Sequence, residues 1–539
     1  MRTMKNTVAI LMTALAAVAA GQEQGIPTFR EAVEVRVMDL DVVVTDSRGR
    51  PVPDLAQREF SVKVDGKPVP LDYFARVEEG TIHAPDLASA PPERVLAEYR
   101  KGGEAYVPRH FLIYVDLGHL SPGYRGRALE ALRDFVTRLG PSDTGRVVLF
   151  DRRAKDLTPW TASKETLLSA LSRMESGVGM SRLMTEQQTL REIDSTRSAQ
   201  SRITAARNYA QQERVEVRQM LNDMGSEVTT LTALPGKKAF LFVSGGFESQ
   251  PGFAMTQYAA GRFNMSLQAF DTRNLASEID AVVKRANASG VTFYAVDARG
   301  LVAEGATASN DDPLANRPGV AFFARGDSQA GMQLLARETG GLALINSNDF
   351  DRGLGRIYQD TSTYYSIGIN LSKLPATGYR DVRVEVSRPG LTVRARRGFA
   401  GRTGEQRARD VTQAALRTNV EYRGIPVTLR LAPARKEKKY YSLPISVTVP
   451  ASSLTLVPRG DASEARADVY IGVIDDSGNM SDVGREEATF NLPKNAPADA
   501  PLNYVVTLQT RKGNQRIVVN VQDRATGRMG TAKADVRVE

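Results

Sequence analysis

The stretch YVDLGHLSPG, residues 114–123, sets an acid at the end of an apolar run, a histidine three residues later and then a Ser-Pro pair. An Asp at the end of a buried strand, before a helix, stands where open α/β sheets bind ligands. Oxygen donors at such a place suit a hard divalent cation or a hydrogen-bonded ligand. The candidate binding residues are Asp116, His119 and Ser121, joined by Ser181, Ser244 and Glu248 from later segments. Each also has a plainer reading. A strand-end Asp caps backbone N–H groups, a lone loop histidine is commonly solvated, and Ser121 before Pro122 is an N-cap with Pro at the first helical position.

Catalytic signatures are missing around these residues. The chain has three histidines, His83, His110 and His119, and no H-E-x-x-H pattern. Ser244 lacks the G-x-S-x-G frame, because Phe242 stands two residues before it. There is no phosphate-binding loop and no dinucleotide fingerprint. With no cysteine, thiol nucleophiles and Cys-ligated zinc are excluded. No catalytic residue is assigned, and a non-enzymatic protein is expected. Arg459-Gly460-Asp461 forms an RGD tripeptide in a polar loop, a pattern that arises often by chance.

Residues 107–400 must position the candidate site. There strands alternate with amphipathic helices, the signature of a mostly parallel sheet with helices on both faces. FLIYVD, RVVLFD, KAFLFVSGG, VTFYAVD and LALINS read as buried strands. Residues 122–140 read as a helix burying Leu129, Leu132, Phe135, Val136 and Leu139. The Arg-, Gln-, Ser- and Thr-rich residues 181–234 read as one or two long helices inserted before the third strand. Residues 301–330 read as a loop. YYSIGINL and the strands after it are expected to close the edge of this sheet.

The flanks are β. Residues 30–79 alternate apolar and polar positions around an Asp65-Gly66 hairpin turn and read as a small antiparallel module. Residues 80–106 read as a linker, and residues 401–418 as a linker or short helix. Residues 419–539 hold six strands with their own turns and read as a β-sandwich.

At 539 residues the chain has room for several cores, which an exported protein without disulfides requires. Arg2 and Lys5, the apolar run Val8–Leu15 and small residues before Gly21 form a secretory signal peptide, residues 1–20. The expected location is periplasmic or extracellular, with no membrane-spanning segment in the mature chain. Net charge is +9, of which the signal peptide holds two units. Because the chain is exported, nucleic acid is not the expected partner, and the positive balance suits a protein or an anionic envelope component.

In their order, FLIYVDLGHLS, RVVLFD, KAFLFVSGGFES, GVTFYAVDARG and LARETGGLALIN resemble a von Willebrand factor A domain. The likeness is to the divergent form called the VWFA-related domain of acidobacterial exported proteins. VVVTDSRGRPVPDLAQREFSVKVDGKPVPLDYF resembles the β module that precedes that domain, so the resemblance spans residues 33–399. It implies binding or adhesion rather than catalysis. It also implies a Mg²⁺ on the sheet top, held by Asp-x-Ser-x-Ser, a middle-loop Thr and an Asp after the fourth strand. Asp116 matches the first Asp. Gly118 and Leu120 stand at the Ser positions, Gly245 at the second Asp, and Ser181 nearest the Thr. The expectation is a degenerate site with no bound cofactor, on a backbone path that Gly118→Ser, Leu120→Ser and Gly245→Asp together would return to metal binding. The reading is an exported binding or adhesion protein, with an envelope-polymer hydrolase or a structural envelope component as alternatives.

Overall fold

A computed structural model describes residues 37–83, 100–101, 104–105, 107–174, 181–232, 234, 236–262, 274–301, 318–371, 375, 378–401, 403–417, 422–437, 440–493 and 496–539. The signal peptide, residues 84–99 of the first linker and residues 302–317 of the expected loop lie outside the described residues. The chain forms two compact units, Val37–Gly401 and a C-terminal unit from Arg402 to Glu539.

In the first unit, β1 (Val37–Thr45), β2 (Phe60–Val64), β3 (Lys67–Val69), β4 (Leu71–Glu78) and β5 (Thr81–His83) lead to a two-residue hairpin, β6 (Arg100–Lys101) and β7 (Glu104–Ala105). Asp65 and Gly66 both take positive φ, as a tight hairpin turn requires. The α/β elements come after them: β8 (Arg109–Asp116), α1 (Pro122–Arg138), β9 (Thr144–Asp151), β10 (Arg153–Asp156), α2 (Lys164–Arg173), α3 (Ser181–Ser195), α4 (Ala199–Leu231) and β11 (Lys237–Ser244). Next come α5 (Phe253–Arg262), α6 (Ala276–Ser289), β12 (Val291–Asp297), α7 (Pro318–Glu338), β13 (Ala343–Leu344) and α8 (Phe350–Ser362). Helix α5 and the start of α7 fall where no helix was expected.

The six-stranded sheet runs β10-β9-β8-β11-β12-β13, parallel except for β10. This is a doubly wound order. Every residue of β8 is buried because helices cover both faces of the sheet. Phe111, Ile113 and Val115 face α1, α2 and α8 in one core. Tyr114 on the other face meets the rings of Phe240 and Phe242. Successive connections leave β8 in opposite directions, so the sheet's topological switch point lies between β8 and β11, above Asp116 and Ser244.

The unit's last strands, β14 (Tyr364–Asn370), β15 (Gly378–Val386), β16 (Thr392–Arg394) and β17 (Gly398–Gly401), do not close the edge of this sheet. They pair with the N-terminal strands in two sheets, β16-β1-β14-β4-β5 and β17-β15-β2-β3. Leu40, Val42, Phe60, Val62, Ile367 and Ile369 form the core there. The α/β elements are thus inserted in the sequence of a β module whose two halves lie about 280 residues apart along the chain, since Val37–Val42 pairs with Tyr365–Asn370. The physical reason is the apolar pattern of β14. It is buried on both faces and its two edges need two partners, which β1 and β4 supply.

The C-terminal unit opens with α9 (Gly404–Arg417), where a linker or short helix was expected. Ala408, Val411, Ala415 and Leu416 are buried against its sheet residues Tyr470 and Val518. Its strands are β18 (Thr428–Leu431), β19 (Arg435–Glu437), β20 (Tyr440–Pro450), β21 (Leu456–Arg459), β22 (Ala462–Asp475), β23 (Gly484–Pro493), β24 (Pro501–Thr510), β25 (Gly513–Asp523) and β26 (Met529–Val538). They form two antiparallel sheets around one apolar core. The RGD tripeptide is the exposed tip of the β21–β22 hairpin, with Arg459 paired to Glu464.

Candidate functional site at the sheet apex

Asp116 ends β8 fully buried, and both its oxygens accept hydrogen bonds. Oδ1 accepts from the His119 backbone N–H at 3.1 Å. Oδ2 accepts from His119 Nδ1 at 2.8 Å and from Ser244 Oγ at 2.7 Å. Ser244 Oγ accepts in turn from the Gly246 N–H at 2.9 Å. The capping role expected of Asp116 is present, and it reaches further than the loop backbone.

His119 is not a solvated loop histidine. Its side chain is fully buried, and its second nitrogen, Nε2, lies 3.1 Å from Glu213 Oε1 in α4. Arg182, in the first turn of α3, donates from Nε to both oxygens of Glu213 at 2.8 and 3.0 Å. Burial pushes the His119 ring pKa down. The charge and hydrogen bond of Asp116 and the hydrogen bond to Glu213 outweigh it and hold the ring up at about 10. Burial pushes Glu213 up, but Arg182 and then His119 hold it at about 2.

The remaining expected residues divide. Ser121 occupies the N-cap position of α1 with Pro122 behind it, but its side chain makes no capping hydrogen bond. Ser181 is the first residue of α3, and the side chain that reaches the apex from that turn is Arg182. Glu248 is buried beyond Ser244 and its Oε2 accepts from the Gly252 N–H at 2.6 Å. Burial, then the charge of Glu213, raise Glu248 to about 8 against the pull of Arg182. Leu120 is buried in the core under α1.

Sequence reasoning missed Arg182, Glu213 and a second closed pair on the next strand. Asp297, ending β12, accepts from Arg299 Nε and Nη2 at 2.9 and 2.8 Å and from Gln329 Nε2 at 2.8 Å. The signal for that pair was the D-x-R spacing within VDARG. Nothing local marked Glu213, which reaches His119 across 94 residues of chain.

The residues present do not fit the divalent cation that the A-domain resemblance implies. Among the described residues, no group of three or more His, Asp or Glu side chains is disposed to hold a metal ion. Asp116 Oδ2 already accepts from two donors. The space that an Asp at Gly245 would need is filled, because a Cβ there would meet the His119 carbonyl oxygen at 2.1 Å. The backbone at Gly245 therefore leaves no room for the missing acid.

Elsewhere in the first unit, a groove of about 1140 Å³ runs beside Lys284, Tyr379, Val384 and Leu391. Charged residues that line it pair with close neighbours, Lys284 with Asp280 one turn away in α6 and Lys63 with Glu385 on the adjoining strand.

No family model matches the chain, and no curated protein matches it. Three solved structures similar to it are bacterial. An aerotolerance-related membrane protein from Bacteroides fragilis is 13% identical over 47% of this chain and 98% of its own, with a TM-score of 0.26. A von Willebrand factor type A protein from Catenulispora acidiphila is 10% identical over 89% of this chain and 72% of its own, at 0.26. The von Willebrand factor domain of the type V pili tip protein Mfa5 from Porphyromonas gingivalis is 11% identical over 47% and 94%, at 0.24. Proteins with von Willebrand factor A domains are thus among the solved structures this chain is similar to. Scores of this size assign it neither a family nor a function.

Proposed function

We propose that the chain is an exported, non-enzymatic binding protein of the adhesion type, whose α/β unit follows the von Willebrand factor A plan. A protein partner docks on the sheet apex and the α3–α4 insert without a metal ion. The observation that supports this reading most is the closure of the apex. Asp116, His119, Glu213 and Arg182 are consumed by one another, so none of these four is free to act as acid, base or nucleophile. The same two helices carry two of the chain's more exposed apolar side chains, Met184 at 58% and Val215 at 56%, each two residues from Arg182 or Glu213 and so turned away from the buried cluster. Exposed apolar groups on a charged helical surface suit a protein partner.

The test is capture of envelope proteins by the immobilised chain beginning at residue 21, in EDTA and in Mg²⁺, beside a Met184→Glu, Val215→Glu variant. Equal capture in the two buffers and at least tenfold loss in the variant are expected. Capture that vanishes in EDTA, or that the variant retains, overturns the reading. Release of soluble fragments from purified envelope polymers would establish the hydrolase instead.

A further inference from the structure

We propose that His119 and Arg182 take the place of a divalent cation at the sheet apex, forming with Asp116 and Glu213 an internal lock that ties the loop after β8 to the α3–α4 insert. The argument begins with the imidazole. Its two nitrogens face two different carboxylate oxygens, at 2.8 and 3.1 Å. A neutral imidazole has one donor and one acceptor nitrogen. An acceptor set against a carboxylate would bring two lone pairs together in a buried place. Both nitrogens therefore carry protons, and the ring is a cation shared by Asp116 and Glu213.

Among these four groups two carboxylates meet one imidazolium and one guanidinium, the same balance a divalent ion strikes with two acids, and a further acid, Glu186, lies 3.8 Å from Arg182. The side chains of Asp116 and His119 are fully buried, that of Glu213 is 3% exposed, and that of Arg182 is 22% exposed. Buried charges of one sign persist only beside the other. The partners come from four separate places, the end of β8, the loop after it, the first turn of α3 and the middle of α4. The pairing thus gives the insert a function that its sequence did not show. It supplies half of the apex and fixes the loop that a bound ion would otherwise hold.

Glu216, one turn along α4 from Glu213, has a buried Oε1 with no partner that lies 3.4 Å from where a Cβ on Gly118 would stand. Burial pushes the pKa of this acid above its ordinary value.

The lock rests on the binding reading only in lying beneath the proposed docking face, and its test measures no partner. The full chain is labelled with ¹⁵N at its three histidines, and the His119 signals are assigned by their loss in His119→Gln. At pH 8 the His119 ring should show two N–H protons, whereas ordinary histidines are neutral. A single ring proton overturns the proposal. In thermal unfolding, Mg²⁺ or Mn²⁺ should leave the wild-type midpoint where EDTA leaves it, and a rise of several degrees with either metal also overturns it. His119→Gln should lower the midpoint by more than 5 °C, and Asp116→Asn combined with it should recover part of that loss. A double variant less stable than His119→Gln alone shows that Asp116 does not depend on the imidazolium. Should His119→Gln fail to fold, Arg182→Lys, which keeps the charge, must hold the two ring protons of His119.

Discussion

A Cβ added to Gly245 would lie 2.1 Å from the carbonyl oxygen of His119. The loop after β8 therefore occupies the space from which a second acid would reach a metal. Gly245→Asp should destabilise the protein by about 3 kcal/mol, as overpacking against backbone does. Gly118→Ser, Leu120→Ser and Gly245→Asp together should bind no Mn²⁺ in titration calorimetry. A folded triple variant with a titratable site would show that the loop can move aside.

Stability should depend on pH through three apical groups. His119 stands at about 10, above its ordinary 6.5, so its contribution is complete below 6.5 and is lost as pH rises towards 10. Glu213 stands at about 2, below 4.5, so its contribution is present above 4.5 and is lost as pH falls towards 2. Glu248, raised from 4.5 to about 8, opposes folding increasingly across that interval, because the unfolded chain releases a proton that burial makes the folded protein keep. The unfolding midpoint should peak near pH 4.5 and decline towards pH 9. Glu248→Gln should flatten the decline below pH 8 and leave the acid limb unchanged, as read by calorimetry across pH.

At the opposite end of β8, Arg109 grips Asp143 through Nε at 2.9 Å and Nη2 at 2.5 Å, with both side chains buried. Asp143→Ala strands a buried guanidinium and should cost about 3–5 kcal/mol in chemical denaturation. In variants that still fold, capture of the partner should be unchanged, because the pair lies away from the apex.

A chain beginning at residue 107 should misfold even though it keeps the whole α/β region. β14 would lose β1 and β4, and β15 would lose β2. Lys237, buried and paired with Asp41 at 2.9 Å, would also lose its counter-charge. Dye binding to exposed apolar surface and rapid proteolysis after residue 364 are the expected readouts. A cooperative melt equal to that of the intact unit would refute the shared β module.

Residues 402–539 should unfold in one cooperative transition, and residues 419–539 should not. α9 covers Tyr470 and Val518, and Asn520 Nδ2 donates to the Ala408 carbonyl at 3.1 Å. Removing the helix would bare that face of the sheet and leave a buried amide without its acceptor. Identical melts for the two fragments would return the helix to the status of a linker.

By itself the sequence determined the features that rest on local pattern. FLIYV, RVVLF and AFLFV are apolar on both faces and so dictate buried parallel strands, and Asp65-Gly66 dictates its turn. Asp116 and Ser244, at adjacent strand ends, marked the apex. Only the tertiary structure decided which distant segments meet. β14 carries no signal that tells an edge of the α/β sheet from the centre of the β module, because its apolar run would be buried in either place. α9 reads as polar as a linker until the sandwich surface that covers its alanines is in place. His119 shows the limit most plainly. One histidine in a loop is solvated or buried according to what lies above it, and what lies above it is Glu213, 94 residues further along the chain and held by Arg182. A charge becomes part of a site through the partners that fold onto it, and no spacing in the sequence encodes a contact made between an inserted helix and the end of a strand.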